Sequence, residues 1–342
     1  MSVNEWLSYL SQQGFNLDGR QTVQTPAAEI DNNTLSSSDV ICDLSTLAVI
    51  KITGNDCTTF LQGQLTNDVE QISDEQGQLS AYCSPKGRMF TDMRLFKHQG
   101  DLHLLMPYEL QEKVIKRLRM FVLRADVTFE DQDDTCIRIG VSGPNSDDAV
   151  SALGFPKIEP INGVSHHDGM TLIRIEGIPS RYIIIVPNEK SIETWETLSA
   201  KLTAISSRQW RLLDIMSGLP AIETTSSEQF VPQMINWDKL DGISLKKGCY
   251  VGQEIIARSH YLGKQKKGLR YGEVKDTDKP LHATLRLQAA NQSASQSAGQ
   301  IINAAELNPG HWLLLASVDL ETSAETAIHL ETAEGPEVHW LD

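Results

Sequence analysis

The sequence predicts an α+β fold of antiparallel sheets and packed helices, followed by a small all-β unit. Three observations carry this. Strand-like segments come in adjacent pairs with helical stretches between the pairs, instead of alternating singly with helices. Two of those pairs flank hairpin-type turns, at Ser84-Pro85-Lys86-Gly87 and at Gly177-Ile178-Pro179. Beyond about Lys267 only short alternating apolar stretches remain. The chain has 342 residues; at about 150 residues per domain two domains are expected. We set them at 1–266 and 267–342.

The elements follow in order. Residues 1 to about 40 are polar and weakly periodic and read as a surface lead-in. Leu47 to Thr53 alternates and is rich in Val and Ile, a strand. Gly54-Asn55-Asp56 supplies a turn and a helix cap, and Cys57 to Gln62 a short helix stopped at Gly63. Leu79 to Cys83, Met89 to Phe96 and Leu102 to Met106 read as strands. Glu109 to Leu123 is the clearest helix, because Leu110, Val114, Leu118 and Val122 recur every four residues. Ile137 to Val141 is a strand, followed by Gly143-Pro144 and a short helix to about Leu153. Leu172 to Glu176 and Tyr182 to Val186 form a hairpin. Ile192, Trp195, Leu198 and Leu202 mark another helix. In the tail, Leu269 to Val274, Ala283 to Leu287, Trp312 to Val318 and Ala327 to Leu330 read as strands. Gln288 to Gln300 is Gln/Ala/Ser-rich and reads as a loop between strands.

Composition excludes several classes. A hydrophobic content of 40% with 22% charged residues is that of a globular protein, not a disordered one. No run reaches the ~18 apolar residues of a transmembrane helix, so no membrane association is expected. The N-terminus lacks a basic segment followed by an apolar one, so it is no secretory signal. A cytoplasmic location is expected. The five cysteines, at 42, 57, 83, 136 and 249, form no C-x-x-C pair and have no zinc-ligand spacing with histidine. No metal site is expected, and His166-His167 reads as a loop feature.

Net charge is −15, which on average repels nucleic acid and anionic membrane. It is unevenly spread. Between Ser244 and Arg270 stand seven bases (Lys246, Lys247, Arg258, Lys264, Lys266, Lys267, Arg270) against the single acid Glu254. Such an island suits a small anion or phosphates, or is a solvated lysine-rich loop. The tail from Asp278 onward has nine acids and two bases and is no polyanion binder.

The segment Lys246-Lys247-Gly248-Cys249-Tyr250-Val251-Gly252-Gln253-Glu254-Ile255-Ile256-Ala257-Arg258 carries the chemistry. Glycines flank the cysteine and allow close backbone approach and positive φ. Gln253-Glu254 opens a helix whose Ile255 and Ile256 face a core. Cys249 then lies just before a helix N-terminus and beside two lysines, both of which favour a thiolate. Cys249 is the candidate reactive thiol, and the other four cysteines are structural. A buried cysteine in a glycine turn is the competing reading.

Lys247-Gly248-Cys249-Tyr250-x-Gly252-Gln253-Glu254, with Ala257-Arg258 and the basic run, resembles the signature of the YgfZ-like folate-binding proteins, relatives of the glycine-cleavage T-protein aminomethyltransferases. The resemblance extends over roughly residues 45 to 275. It includes Gly54 to Val69, Ser84 to Arg88 with Asp92, Gly143-Pro144, Trp210 to Pro220, Phe230 to Gln233 and Gly242 to Ser244. It implies a T-protein-like folate-binding fold with a C-terminal β-barrel, and tetrahydrofolate as cofactor. Trp210 matches a family tryptophan that stacks on the pterin, or is a core residue; a second aromatic of some members stands here as Leu47. Asp92 falls where the T-protein has its catalytic carboxylate, although Thr91 replaces a preceding acid. Candidate catalytic residues are therefore Cys249 and Asp92. Candidate cofactor-binding residues are Trp210, Lys247, Gly248, Tyr250, Gly252, Gln253, Glu254 and Arg258. Lys247, Arg258, Lys264, Lys266 and Lys267 would pair with the folate glutamate tail.

The resemblance implies an accessory role for iron–sulfur enzymes or cluster-assembly proteins and, through them, for tRNA thio-modification. Direct tRNA contact is compatible with the basic island. The alternatives are an aminomethyltransferase of the T-protein type, or a binding module with folate only structural.

Overall fold

A computed structural model describes residues 2–26, 30–261, 266–290 and 296–342. The chain divides into two compact units, each assembled from separated segments. The first comprises Met1–Leu61, Val69–Gln78 and Met93–Leu213, the second Gln62–Asp68, Leu79–Asp92 and Asp214–Asp342.

The first unit is built on a six-stranded sheet. Its order is Val164–His167, Met170–Ile175, Arg181–Pro187, Cys136–Ser142, Val40–Asp43 and Thr203–Ile205. All neighbours run antiparallel except the last pair, which is parallel. Arg181–Pro187 and Cys136–Ser142 are buried along their whole length, as central strands covered on both faces must be. Helices Val3–Gln12 and Ser191–Ser199 pack their apolar stripes into one cluster with this sheet.

The N-terminal segment is not the surface lead-in expected. Val3–Gln12 is a helix with a capping box, in which Ser2 Oγ accepts from Glu5 N and the Glu5 carboxylate accepts from Ser2 N. Val3, Trp6 and Leu10 fall on one face at spacings of three and four, and all are buried. Trp6 Nε1 donates to Asp43 Oδ1 at 2.8 Å, and the Trp6 and Trp195 rings meet edge to face at 5.5 Å. Burial pushes the Asp43 carboxyl up against the bonds from Trp6 and Ser45 and the Arg138 charge. Residues 27–29 of this stretch lie outside the described residues.

A second antiparallel set in this unit joins Thr128–Asp131 to Leu47–Thr53, Leu47–Thr53 to Asp101–Pro107, and Asp101–Pro107 to the end of Met89–His98. The helix Tyr108–Val122 buries Leu110, Val114 and Leu118 of the expected stripe and Ile115 beside them, while Val122 is only half-buried. His166 and His167 end a strand and do not lie in a loop.

The second unit holds a closed barrel of six strands. In order around the barrel they are Lys267–Val274, His311–Asp319, Gly299–Asn308, Arg286–Ala289, Ile328–Leu330 and Glu337–Trp340. Pairing of Gly272 with Trp340 and Glu273 with His339 closes it and leaves no free edge. The expected loop Gln288 to Gln300 is shorter than predicted. Gln288 and Ala289 finish one strand, and Gly299 and Gln300 begin a ten-residue strand that composition hides. Residues 291–295 lie outside the described residues. At a bulge in that strand the buried Asn303 turns toward the segment after Gly218. It accepts from Ala221 N at 2.8 Å and donates to Ala221 O at 3.0 Å and Glu223 Oε1 at 2.8 Å.

Candidate functional site: a glycine-bracketed cysteine loop

Residues 244–252 form a loop that leads into the helix Gln253–Tyr261. Its footing is backbone from Gly63 to Asn67. Ser244 N donates to Thr66 O at 3.0 Å, and Val251 N to Gly63 O at 3.3 Å. Thr66 Oγ1 in turn donates to Gly242 O at 2.7 Å, and Asn67 Nδ2 to Asp241 O at 2.7 Å. The matches at Gly54 to Val69 and at Gly242 to Ser244, far apart in sequence, therefore meet in one hydrogen-bonded clasp.

Lys247 is the interior post of the loop. It is 8% exposed, and its ammonium donates to Leu65 O at 2.9 Å and Asn67 O at 2.6 Å. A buried ammonium needs such partners, because leaving it unpaired costs several kcal/mol. The same nitrogen lies 5.2 Å from the centroid of the Tyr250 ring. This arrangement makes Lys247 a holder of the loop. Tyr250 is buried and, among the described residues, its hydroxyl has no hydrogen-bond partner; burial foremost, and then Cys83, pushes its pKa up.

Two glycines fix the geometry behind the cysteine. Gly252 has φ +84°, and a Cβ there would lie 2.5 Å from Ser84 O and 3.0 Å from Gly87 Cα. Gly87 has φ +68°, and its Cβ would meet Ile255 Cβ at 3.0 Å. The Ser84–Arg88 turn, a hairpin signal in the sequence, thus packs directly against the signature loop, and only glycine fits both sides. Its Lys86 is exposed, as are Lys246 and Arg258. Gly248 is different: a Cβ there would meet nothing within 4 Å. Gln253 Nε2 reaches back to Gly248 O at 3.5 Å.

Cys249 is exposed at the crest of this loop. Cys42, Cys83 and Cys136 are buried and Cys57 is intermediate, so Cys249 is the most accessible of the five thiols. Burial holds the Cys83 thiol far above its usual range and pushes Cys136 up to about 11. Three residues separate Cys249 from the first residue of the helix. Ile256 is fully buried, but Ile255 is 40% exposed, which corrects the expectation that both face a core. Successive helical side chains point about 100° apart, so one stripe cannot take both. Glu254 is exposed at the first turn. Lys266 is exposed and Lys267 half-buried, while Lys264 lies outside the described residues.

Asp92 belongs to the same unit. It is half-buried, and its Oδ1 accepts from Ile222 N at 2.6 Å, so its carboxylate caps backbone. Trp210 belongs to the first unit, on the helix Ser207–Met216, which sequence periodicity left unread. It is 6% exposed, with the Arg181 guanidinium 4.5 Å from its ring centroid. Gly140 makes room for it: a Cβ there would lie 2.6 Å from Trp210 Cη2. The footing at Gly63–Asn67 and the Lys86 cation were not among the expected site residues. Their signal was the family-like spacing of those segments.

The chain belongs to the GCVT N-terminal domain family, which matches residues 6–178. The tRNA-modifying protein YgfZ of Pectobacterium carotovorum subsp. carotovorum (strain PC1) is 29% identical over 291 residues, 85% of this chain and 86% of that protein. The tRNA-modifying protein YgfZ of Yersinia pestis (strain Pestoides F) is 29% identical over 290 residues, 85% of this chain and 87% of that protein. These similarities bear out the YgfZ-like resemblance drawn from the motifs. Among solved structures, the glycine cleavage system aminomethyltransferase T from Bartonella henselae superposes with a TM-score of 0.77. The match covers 98% of this chain and 95% of that one at 13% identity, and it bears out the T-protein-like fold. Among the described residues no helix is long and apolar enough to cross a membrane, and no group of three or more His, Cys, Asp or Glu is placed to hold a metal ion.

Proposed function

We propose that this protein is a tetrahydrofolate-binding accessory factor that supports iron–sulfur cluster assembly or repair and, through it, tRNA thio-modification, with Cys249 as its reacting thiol. The observation that carries the reading is the exposed cysteine at the crest of a loop braced by Lys247 and by two glycines that tolerate no side chain. The names of the curated relatives connect such chains to tRNA modification.

The residues present fit one part of a folate. Its glutamate tail carries carboxylates, and Lys246, Arg258 and Lys86 are exposed cations around the loop. The open space over Gly248 lets backbone approach a ligand. Trp210, buried under Arg181, supports a packing role more than pterin stacking. Tetrahydrofolate, when bound, supplies or accepts a one-carbon unit. This chain's own contribution is a thiol at Cys249 that reaches solvent, a loop held rigid by the Lys247 ammonium, and cations to orient an anion.

The test replaces Cys249 by alanine. Rescue of cluster-enzyme activity in a deletion strain should be lost while tetrahydrofolate binding persists; full rescue by Cys249→Ala rejects the thiol role. The aminomethyltransferase alternative rests on Asp92. That carboxylate is committed to Ile222 N, so we expect no methylene-tetrahydrofolate or ammonia from the purified chain with a lipoylated carrier. Turnover would reverse the ranking.

A further inference from the structure

The helix Tyr108–Val122 ends with apolar side chains in solvent. Met120, Phe121 and Leu123 are 69%, 45% and 89% exposed, while the stripe Leu110, Val114, Ile115 and Leu118 is buried. Single exposed apolar residues are ordinary, but three within four positions form a patch.

The patch sits on a firm turn. The Arg119 guanidinium donates to Phe129 O at 2.8 Å, and Ala125 N to Val122 O at 2.8 Å. Asp126 N donates to Asp56 Oδ2 at 2.8 Å, and Asn55 N to Asp126 Oδ2 at 3.0 Å. Leu123 stands in this turn at φ +49° and ψ −100°. A bulky side chain is strained there, and glycine is the usual residue just past a helix. The chain therefore holds a leucine out in water, in a costly conformation, with almost none of it buried.

Charge gathers on the same end. Five bases and no acid stand between Lys113 and Arg124, in a chain of net charge −15. The two acids of the turn, Asp56 and Asp126, leave the region net positive. Lys113, Lys116, Arg119 and Arg124 are exposed. Lys113, Lys116 and Met120 recur at spacings of three and four and so share one face of the helix. Among the described residues no carboxylate pairs with Lys116, Arg119 or Arg124. Complementing the helix dipole accounts for a cation such as Arg119 in the last turn, but not for the apolar residues beside it.

Three kinds of partner carry negative charge. Nucleic-acid phosphates need only the bases and give the apolar side chains no purpose. A membrane extends well past the patch and meets the repulsion of the whole acidic chain. A short acidic protein segment senses chiefly the local bases, because charges are screened beyond about 8 Å at physiological salt.

We propose that the outer face of Tyr108–Val122 and the turn after it bind an acidic protein helix with one apolar edge. Met120, Phe121 and Leu123 receive the apolar edge, and Lys116, Arg119 and Arg124 face its carboxylates. The firm turn presents these anchors already placed, which lowers the ordering cost of binding.

The probe is a fluorescein-labelled helical peptide of Glu, Ala and Leu, about 18 residues long, with its leucines three and four apart. It is titrated with the full chain and followed by anisotropy. Binding should saturate. The same peptide with every leucine changed to serine should bind at least about tenfold more weakly, a difference of about 1.4 kcal/mol. Met120→Ser and Lys116→Glu should each weaken the leucine peptide by a similar factor without lowering the melting temperature. Leu123→Gly should weaken it as much and melt no lower than the wild type, since glycine relieves the strained turn. No saturable binding, equal binding of the two peptides, wild-type affinity in the variants, or a lower melting temperature for Leu123→Gly would each overturn the proposal. Bulk tRNA or phosphatidylglycerol vesicles that bind more tightly than the peptide, and lose affinity in the same variants, would overturn it in favour of a phosphate partner.

Discussion

Lowering the pH from 7.5 to 5.0 should loosen the first unit specifically through His98 and His103. Both rings are held neutral in the folded chain to about pH 4, chiefly by burial. In the unfolded chain a histidine titrates near 6.5. Between those values the unfolded chain binds more protons, so the stability each ring contributes is complete above about pH 6.5 and is lost as pH falls toward 4. The full separation corresponds to about 3 kcal/mol per ring, and at pH 5.0 about 2 kcal/mol of it is gone. At pH 5.0 both folded rings are still neutral, so the two losses add to about 4 kcal/mol. The assay is amide hydrogen exchange of the strands Met89–His98 and Asp101–Pro107, corrected for intrinsic exchange, together with urea unfolding at the two pH values. The comparison is a His98→Asn, His103→Asn variant, in which the asparagine amide stands where Nδ1 meets Thr171 Oγ1 and Asp101 O. The wild type should lose several kcal/mol between pH 7.5 and 5.0, and the variant about 4 kcal/mol less. Equal losses in the two proteins would refute the reasoning.

Other outcomes follow from the same contacts. A thiol reagent should label Cys249 first in the native protein, and Cys249→Ala should remove that fast phase while all remaining thiols react after denaturation. Gly252→Ala should cost at least about 2 kcal/mol, from a positive φ and a collision with Ser84 O, and should change the rate of Cys249 labelling; unchanged melting and labelling would show that the turn yields. Trp6→Ala should cost roughly 3–5 kcal/mol by leaving a cavity and removing one of the two side-chain bonds to the buried Asp43, measured by denaturant unfolding. Lys247→Met should lower the melting temperature and unlock the loop, seen as faster exchange at Thr66 and Ser244; a neutral effect would remove its bracing role.

Elements with long or clean periodicity are legible in the sequence. Leu47–Thr53 and Cys57–Gln62 can be bounded to the residue, and the stripe Leu110, Val114, Leu118 defines the helix Tyr108–Val122. Hidden elements share a physical cause. Val40–Asp43 and Thr203–Ile205 are three or four residues long and owe their pairing to neighbours distant in sequence. Val3–Gln12 shows only three buried residues in a polar stretch. Gly299–Asn308 is masked by Ala, Asn and Gln, which a barrel accepts where aliphatic neighbours supply the packing. At the site, the identity of the loop is legible because glycine and cysteine spacing is local. The destination of the Lys247 ammonium is not, since Leu65 and Asn67 are roughly 180 residues away.

The second unit draws Gln62–Asp68 and Leu79–Asp92 from the first third of the chain and all the rest from Asp214 onward. During synthesis, Thr66 and Asn67 leave the ribosome long before their partners Gly242 and Asp241 exist. Loop closure over such separations is slow, and early strands wait with open edges. The nascent protein should therefore depend on chaperone shelter until translation is nearly finished, and truncations that remove the barrel should strand those early segments as aggregation seeds.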